Sequence, residues 1–265
     1  MRTLKWGLGM MFRSASGCLV AAACLLAQAQ TPPPEQDGKV SDDFAKTILQ
    51  KADEIRFPAQ GFEVNVKIRS VDGGGEPEVR EYRILSKGND NTIVVTTPPA
   101  AERGQILLMK GRDLWLFLPS VSQPVRLSLA QRLTGQVSNG DIARANFSGD
   151  YSPRLVGTEK IGDDKAFVLE LTAVDRTVTY HRVKYWVREN GYAPIKAEFY
   201  SLSDKLLKAC SYEGYKPLGG RTRPARLVMT DAIKADTKSV LDYDAMKNVD
   251  LPDKLFTKEY LRKLQ

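Results

Sequence analysis

The chain has 265 residues, 42% of them hydrophobic and 27% charged, with 20 Gly and 14 Pro. Those proportions belong to a folded globular protein and exclude a disordered, collagen-like or multi-span membrane chain. Lys and Arg number 39 against 32 Asp and Glu, a formal charge of +7.

The opening, MRTLKWGLGMMFRSASGCLVAAACLLAQAQ, reads as a secretory signal peptide over 1–29. Arg2, Lys5 and Arg13 give a basic start, 18–26 a short apolar run, and Ala27-Gln28-Ala29 a small-residue cleavage site. The run falls short of the roughly 20 residues that span a bilayer. Cleavage after Ala29 would leave 236 of the 265 residues and a charge of +4, since three bases and no acid would leave with the signal. A charge this small does not call for nucleic acid. Cys210 would then be the only cysteine, which excludes a disulfide within the mature chain. The expected location is the periplasm.

Residues 30–40 (QTPPPEQDGKV) read as a flexible proline-rich leader, and 41–265 as one domain. Ser41 is placed to cap a helix over 41–56, with Phe44, Ile48, Leu49, Ala52 and Ile55 forming an apolar stripe. The period then changes to two. Phe62, Val64, Val66 and Ile68 alternate with Glu63, Asn65, Lys67 and Arg69, the pattern of a half-buried strand. Further strands are expected over 78–86, 92–97, 105–109 and 114–118, separated by Gly-, Asn- and Asp-rich turns. Residues 119–152 read as a lid, a binding loop or a mobile segment, with short helical patterns at 127–133 and 141–145. Strands return at 166–173, 177–188, 194–201, 205–212, 225–231 and 238–244, and a helix over 258–264 closes the chain.

Chemistry is sparse. His181 is the sole histidine, which excludes a multi-histidine metal site and leaves a hydrolytic triad one imidazole and no Gly-x-Ser-x-Gly turn. Cys210 has no CxxC partner and reads as a small core residue. Arg182-Val183-Lys184-Tyr185-Trp186-Val187-Arg188 interleaves bases with aromatics and reads as a solvated outer strand face. No catalytic residue, metal or cofactor is expected. One strand stands apart: Leu114-Trp115-Leu116-Phe117-Leu118 is apolar on both faces. One face must meet the core, and the other a helix, the lid or an apolar cavity.

The run 110–121, with Gly111-Arg112-Asp113-Leu114-Trp115-Leu116-Phe117-Leu118-Pro119, resembles the G-x-x-L-W-x-aromatic-x-P hairpin of the outer-membrane lipoprotein-sorting proteins, the LolA-like group. Tyr215-Lys216-Pro217 and the terminal Leu-Pro-x-x-x-Phe pattern from Leu251 resemble the larger members of that group. The resemblance implies a mainly β fold with α: an unclosed antiparallel β-barrel, a strongly curved sheet, with an N-terminal helix and lid helices over its concave face. It also implies a non-enzymatic periplasmic carrier, a monomer, that holds lipid or lipoprotein acyl chains in an apolar cavity and delivers them toward the outer membrane. An inner-membrane exporter and an outer-membrane receptor would be its partners. The expected wall residues are Phe62, Val64, Val66, Leu114, Leu116 and Leu118, with Leu133 and Phe147 from the lid. Trp115 and Phe117 replace their neighbours if the other face of 114–118 is the concave one. The carriers' lid-locking arginine, in a Lys-Arg-Pro element, has no placed equivalent, and the nearest base in chain order is Lys87. The alternative is a periplasmic sensor or accessory subunit that grips a membrane transporter or protein segment through the same sheet.

Overall fold

Alternating apolar and polar residues generate one antiparallel sheet of 13 strands. The computed structural model describes residues 36–144 and 146–262, so the expected signal and residues 30–35 of the leader lie outside the described residues. The chain opens with α1 (Gln36–Arg56) and a meander of β1 (Phe62–Val71), β2 (Glu78–Lys87), β3 (Asn91–Thr96), β4 (Ile106–Lys110), β5 (Asp113–Phe117) and β6 (Val125–Leu127). A separate hairpin, β7 (Arg132–Thr134) and β8 (Val137–Ser138), leads into the short helices α2 (Asn139–Ala143) and α3 (Phe147–Asp150). A second meander follows: β9 (Tyr151–Ile161), β10 (Asp164–Ala173), β11 (Arg182–Arg188), β12 (Pro194–Tyr200) and β13 (Leu206–Glu213). After the small hairpin β14 (Lys216–Leu218) and β15 (Arg221–Arg223) come β16 (Arg226–Asp231) and β17 (Lys238–Asn248). A 3₁₀ turn, Asp253–Phe256, and α4 (Lys258–Arg262) complete the described chain.

Pairing of β1 with β17 joins the two meanders. The strand order leaves β6 and β9 as free edges, so the curved sheet does not close. The connection between those edges is the segment 128–150, which carries β7, β8, α2 and α3. With α1 it covers the inner face. Ala45, Ile48, Leu49 and Ala52 of α1 share one buried cluster with side chains from β1 to β5, from β10 to β13, and from β16 and β17.

Several expectations are corrected. The helix begins at Gln36, ahead of Ser41, so residues 36–40 of the leader are helical. The run of prolines at 32–34 bars the helix interior, whereas Gly38 costs only about 1 kcal/mol relative to Ala. The buried stripe is also rotated: Asp53 and Arg56 are buried, while Phe44 is exposed and Ile55 half-buried. The helical pattern at 127–133 is a turn between β6 and β7, where the Ser128 hydroxyl accepts the Ala130 N–H at 3.2 Å and diverts the backbone. The strand expected from 177 starts only at Arg182, because Asp175 accepts the Thr177 N–H at 2.7 Å in a local turn. β9, placed by the sequence reading partly in the lid, is the edge strand of the second meander.

Candidate functional site

The two apolar faces of β5 meet different partners. Leu114 and Leu116 point into the inner cluster. Trp115 and Phe117 face outward into a second cluster with Ile93, Ile106, Leu108, Leu251, Phe256 and Leu261. The outer cover is thus the C-terminal segment. Lys258 lies 4.0 Å from the centroid of Trp115, and Lys87 donates to Asp253 at 2.7 Å, fastening the 3₁₀ turn. Lys87 therefore serves the outer face and does not touch the lid.

The inner cluster brings together Phe62, Val64, Val66, Leu114 and Phe147, with Leu116 and Leu133 packed against it. Leu118 is not among them. It lies one residue past β5, half-buried and outside both clusters, because Pro119 ends the alternation. Aromatic contacts extend the interior. Phe147 meets Tyr151 and Tyr185 edge-on at 5.4 Å each, Tyr180 meets Phe199 at 4.4 Å, and Tyr185 meets Tyr212 at 6.0 Å.

Buried charges cross this apolar interior, and each ties the segment 128–150 to the rest. Asp141 of α2 accepts Lys208 of β13 at 2.7 Å and the Tyr180 hydroxyl at 2.8 Å. Arg144 donates to Asp150 at 2.5 and 2.8 Å, to Asp90 at 2.9 Å and to the Gly111 carbonyl at 2.7 Å. Arg112, in the β4–β5 turn, reaches Asp150 at 2.9 Å and also pairs with Asp175 of the second meander. On the rim, Arg80 of β2 donates to Thr134 at 2.7 Å while forked onto Glu102 at 2.8 and 2.9 Å. Glu102 is held below the usual carboxylate range by that fork. Backbone approach completes the seal. Gly135 has φ +51, and a Cβ there would stand 2.3 Å from the Ser70 Oγ and 2.4 Å from the Ser239 Oγ.

At the centre is α1's last turn. Arg223 donates to the Glu54 and Ile55 carbonyls, a cation at the negative end of the helix, and burial pushes its guanidinium down to about 10. One residue on, Arg56 pairs with Asp53 at 3.4 Å and lies 4.1 Å from the Phe147 ring centroid. Asp53 in turn accepts the Ser148 N–H at 2.7 Å, joining α1 to α3. One interior cavity, lined by Arg56, Phe147, Tyr151, Tyr180, Phe199 and Tyr212 among others, measures about 20 Å³. That is room for one water.

The sequence reading did not pick out Asp53, Arg56, Asp141, Arg144 or Lys208. Asp53 and Arg56 carried a usable signal, lying three residues apart and next in helical register to Leu49 and Ala52. Cys210 is buried, which pushes its thiol up to about 12, and His181 is exposed in the bend before β11. Trp186 is buried on the outer face, donating to Glu159 at 2.8 Å with Lys196 3.9 Å from its ring centroid. Among the described residues no group of three or more His, Cys, Asp or Glu could hold a metal ion. No described helix is long and apolar enough to cross a membrane.

A family model carrying the description "Uncharacterized protein" matches residues 88–263. Comparison with curated proteins gives no match. Among solved structures, a LolA superfamily protein from Nitrosomonas europaea is 58% identical, with a TM-score of 0.78, over 82% of this chain and 98% of that one. A DUF1329 family protein from Desulfovibrio piger shares the fold at 22% identity and TM-score 0.73, over 83% of this chain and 99% of that one. A putative outer membrane lipoprotein-sorting protein domain from Vibrio parahaemolyticus does so at 19% identity and TM-score 0.73, with the same two coverages. Fold, free edges, bridging segment and an identity of 58% over nearly all of the Nitrosomonas protein agree, and the chain belongs to the LolA superfamily.

Proposed function

We propose that this protein is a non-enzymatic periplasmic carrier that takes up lipid or lipoprotein acyl chains on the inner face of its sheet and delivers them toward the outer membrane. The observation that carries the reading is convergence: Phe62, Val64, Val66, Leu114, Leu116, Leu133 and Phe147, from both sheet and lid, meet in one apolar cluster. Each CH₂ moved from water onto such a surface contributes about 0.8 kcal/mol, so ten carbons offer about 8 kcal/mol before ordering costs. A cavity of about 20 Å³ holds no acyl chain, against the roughly 300–1,000 Å³ of ordinary ligand sites. In this reading the described conformation is the closed one, and uptake at this cavity requires the segment 128–150 to move. Its fastening by ion pairs suits that task, since displaced charges can be solvated where displaced apolar surface cannot. An exporter and a receptor at the two membranes would be the natural triggers.

Mass spectrometry of an organic extract from protein purified out of its native periplasm without detergent tests the reading. Stoichiometric phospholipid or acylated peptide supports it, and Leu116→Arg should abolish the yield while the sheet still folds. An empty extract together with no binding of a fluorescent acyl probe would count against it. The second reading, a sensor or accessory subunit, is favoured by one feature: the 11-residue β9 has no strand on its outer side and could accept one from a partner. Recovery of a membrane protein instead of lipid would select it.

A further inference from the structure

One cation of the interior is under-partnered. Arg56 is 6% exposed, and its Nε has no hydrogen-bond partner among the described residues. Its carboxylate neighbour, Asp53, is 3.4 Å away and already engaged by the Ser148 N–H at 2.7 Å. Otherwise the guanidinium sees ring faces, with Phe147 at 4.1 Å, Phe57 at 5.8 Å and Tyr212 at 5.9 Å. The buried Tyr185 hydroxyl is also unpartnered, and Tyr185 packs against the same two rings, Phe147 and Tyr212. The other buried cations are satisfied: Arg144 by Asp150 and Asp90, Lys208 by Asp141, Arg223 by backbone carbonyls.

Buried donors left without acceptors are destabilising and rare. Arg56 and Tyr185 both contact the ring of Phe147, which with Arg56 lines the small cavity, and both lack the same thing: an acceptor that comes from outside the chain. A planar guanidinium fits a carboxylate or phosphate through paired N–H donors, and a phenol hydroxyl can add a further hydrogen bond. We propose that the interior binds an anionic amphiphile, its carboxylate or phosphate head on Arg56 and Tyr185 and its acyl chain along the β1–β5 wall. This rests on the carrier reading and adds the head-group class to it. The head takes the space now held by the Phe147 ring, so α3 must lift for it to bind.

The test is titration of the purified protein with three probes sharing one chain: palmitate, 1-palmitoyl lysophosphatidate and neutral 1-palmitoylglycerol. At least one anionic probe should bind about tenfold tighter than the neutral one, the scale of a charge-assisted hydrogen bond. A preference for palmitate alone assigns a carboxylate, and one for lysophosphatidate alone a phosphate. Asp53→Asn with Arg56→Met removes both charges and should erase the preference while neutral binding stays. Arg56→Lys should keep most of it. Tyr185→Phe, which removes only an unpartnered hydroxyl, should weaken anionic binding several-fold without altering the fold. Equal binding of all three probes by the native protein, or a preference that survives the double substitution, overturns the head-group site and leaves the carrier reading standing. Binding of none of the three overturns the carrier reading, and this inference falls with it.

Discussion

Asp53 and Arg56 show how one residue type can be read two ways. A base in the last turn of a helix ordinarily suits the helix dipole and faces solvent, and nothing in Ile55-Arg56-Phe57 contradicts that. Arg56 turns inward because the buried stripe continues through Ala52 and Asp53. Removing one partner of a buried pair leaves the other charge stranded, so Arg56→Met should cost about 3–5 kcal/mol in urea unfolding at neutral pH. Adding Asp53→Asn should return most of it. Burial already pushes the Asp53 carboxyl above its ordinary 3.8, against the pull of Arg56. A carboxyl raised by folding keeps its proton where the unfolded chain has lost it, so its contribution to stability declines as pH rises through that window. The cost of Arg56→Met should accordingly shrink as the pH falls below neutral and the stranded Asp53 takes up a proton; a pH-independent cost would place the defect elsewhere. Cys210 supplies a reporter. Its thiol, buried and pushed up to about 12, forms little thiolate, so peptide-resolved alkylation at neutral pH should label it only when the interior opens.

At the scale of elements, the segment 128–150 and the C-terminal segment cover opposite faces of β5, and their substitutions should separate. Asp141→Asn weakens the acceptor for Lys208 and Tyr180 and should cost about 3–5 kcal/mol if the buried ammonium is left unpaired. Hydrogen exchange should then rise across 128–150 before it rises in the sheet. Gly135→Ala should act likewise, because its positive φ and the two serine oxygens leave no room for a methyl group. Phe256→Ala, at 1% exposure in the outer cluster, should cost about 3–5 kcal/mol and loosen β3–β5 instead. Equal exchange patterns in Phe256→Ala and in the two 128–150 variants would show that the covers are not independent. Legibility followed the same division. A strand with strict alternation, such as 62–68, was readable because a period of two admits one face inward. The lid was readable as a gap in that pattern, and of its two short helical patterns only 141–145 overlaps a helix, α2. Its strands are two or three residues long and its helices four or five, too short for a period to fix their bounds. β9 was obscured because its second half is solvated and carries no apolar face.

For the whole molecule, the proposed carrier role would make binding a competition with the segment 128–150, which covers the inner face between the two free edges. If the open form is a small fraction of the population, the apparent affinity for an acyl ligand is the intrinsic one reduced by that fraction. A substitution that weakens the closed form without touching the wall should therefore bind more tightly while melting lower. Asp141→Asn and Gly135→Ala meet that condition, since both act where the lid meets the sheet and neither residue is in the apolar cluster. Each 1.4 kcal/mol taken from the closed form should tighten apparent binding about tenfold until the open form dominates. The kinetics should agree. With the native protein, the observed uptake rate of a fluorescent acyl probe should level off at high probe concentration, at the rate of lid opening, and the plateau should rise in both variants. Stopped-flow fluorescence alongside equilibrium titration measures the two effects on the same samples. Variants that melt lower yet bind no more tightly, with an uptake rate still linear in probe, would mean that the segment 128–150 does not gate the interior. The acyl chain would then have to lie on the outer surface, where Leu202 and Ile233 are the most exposed large apolar side chains.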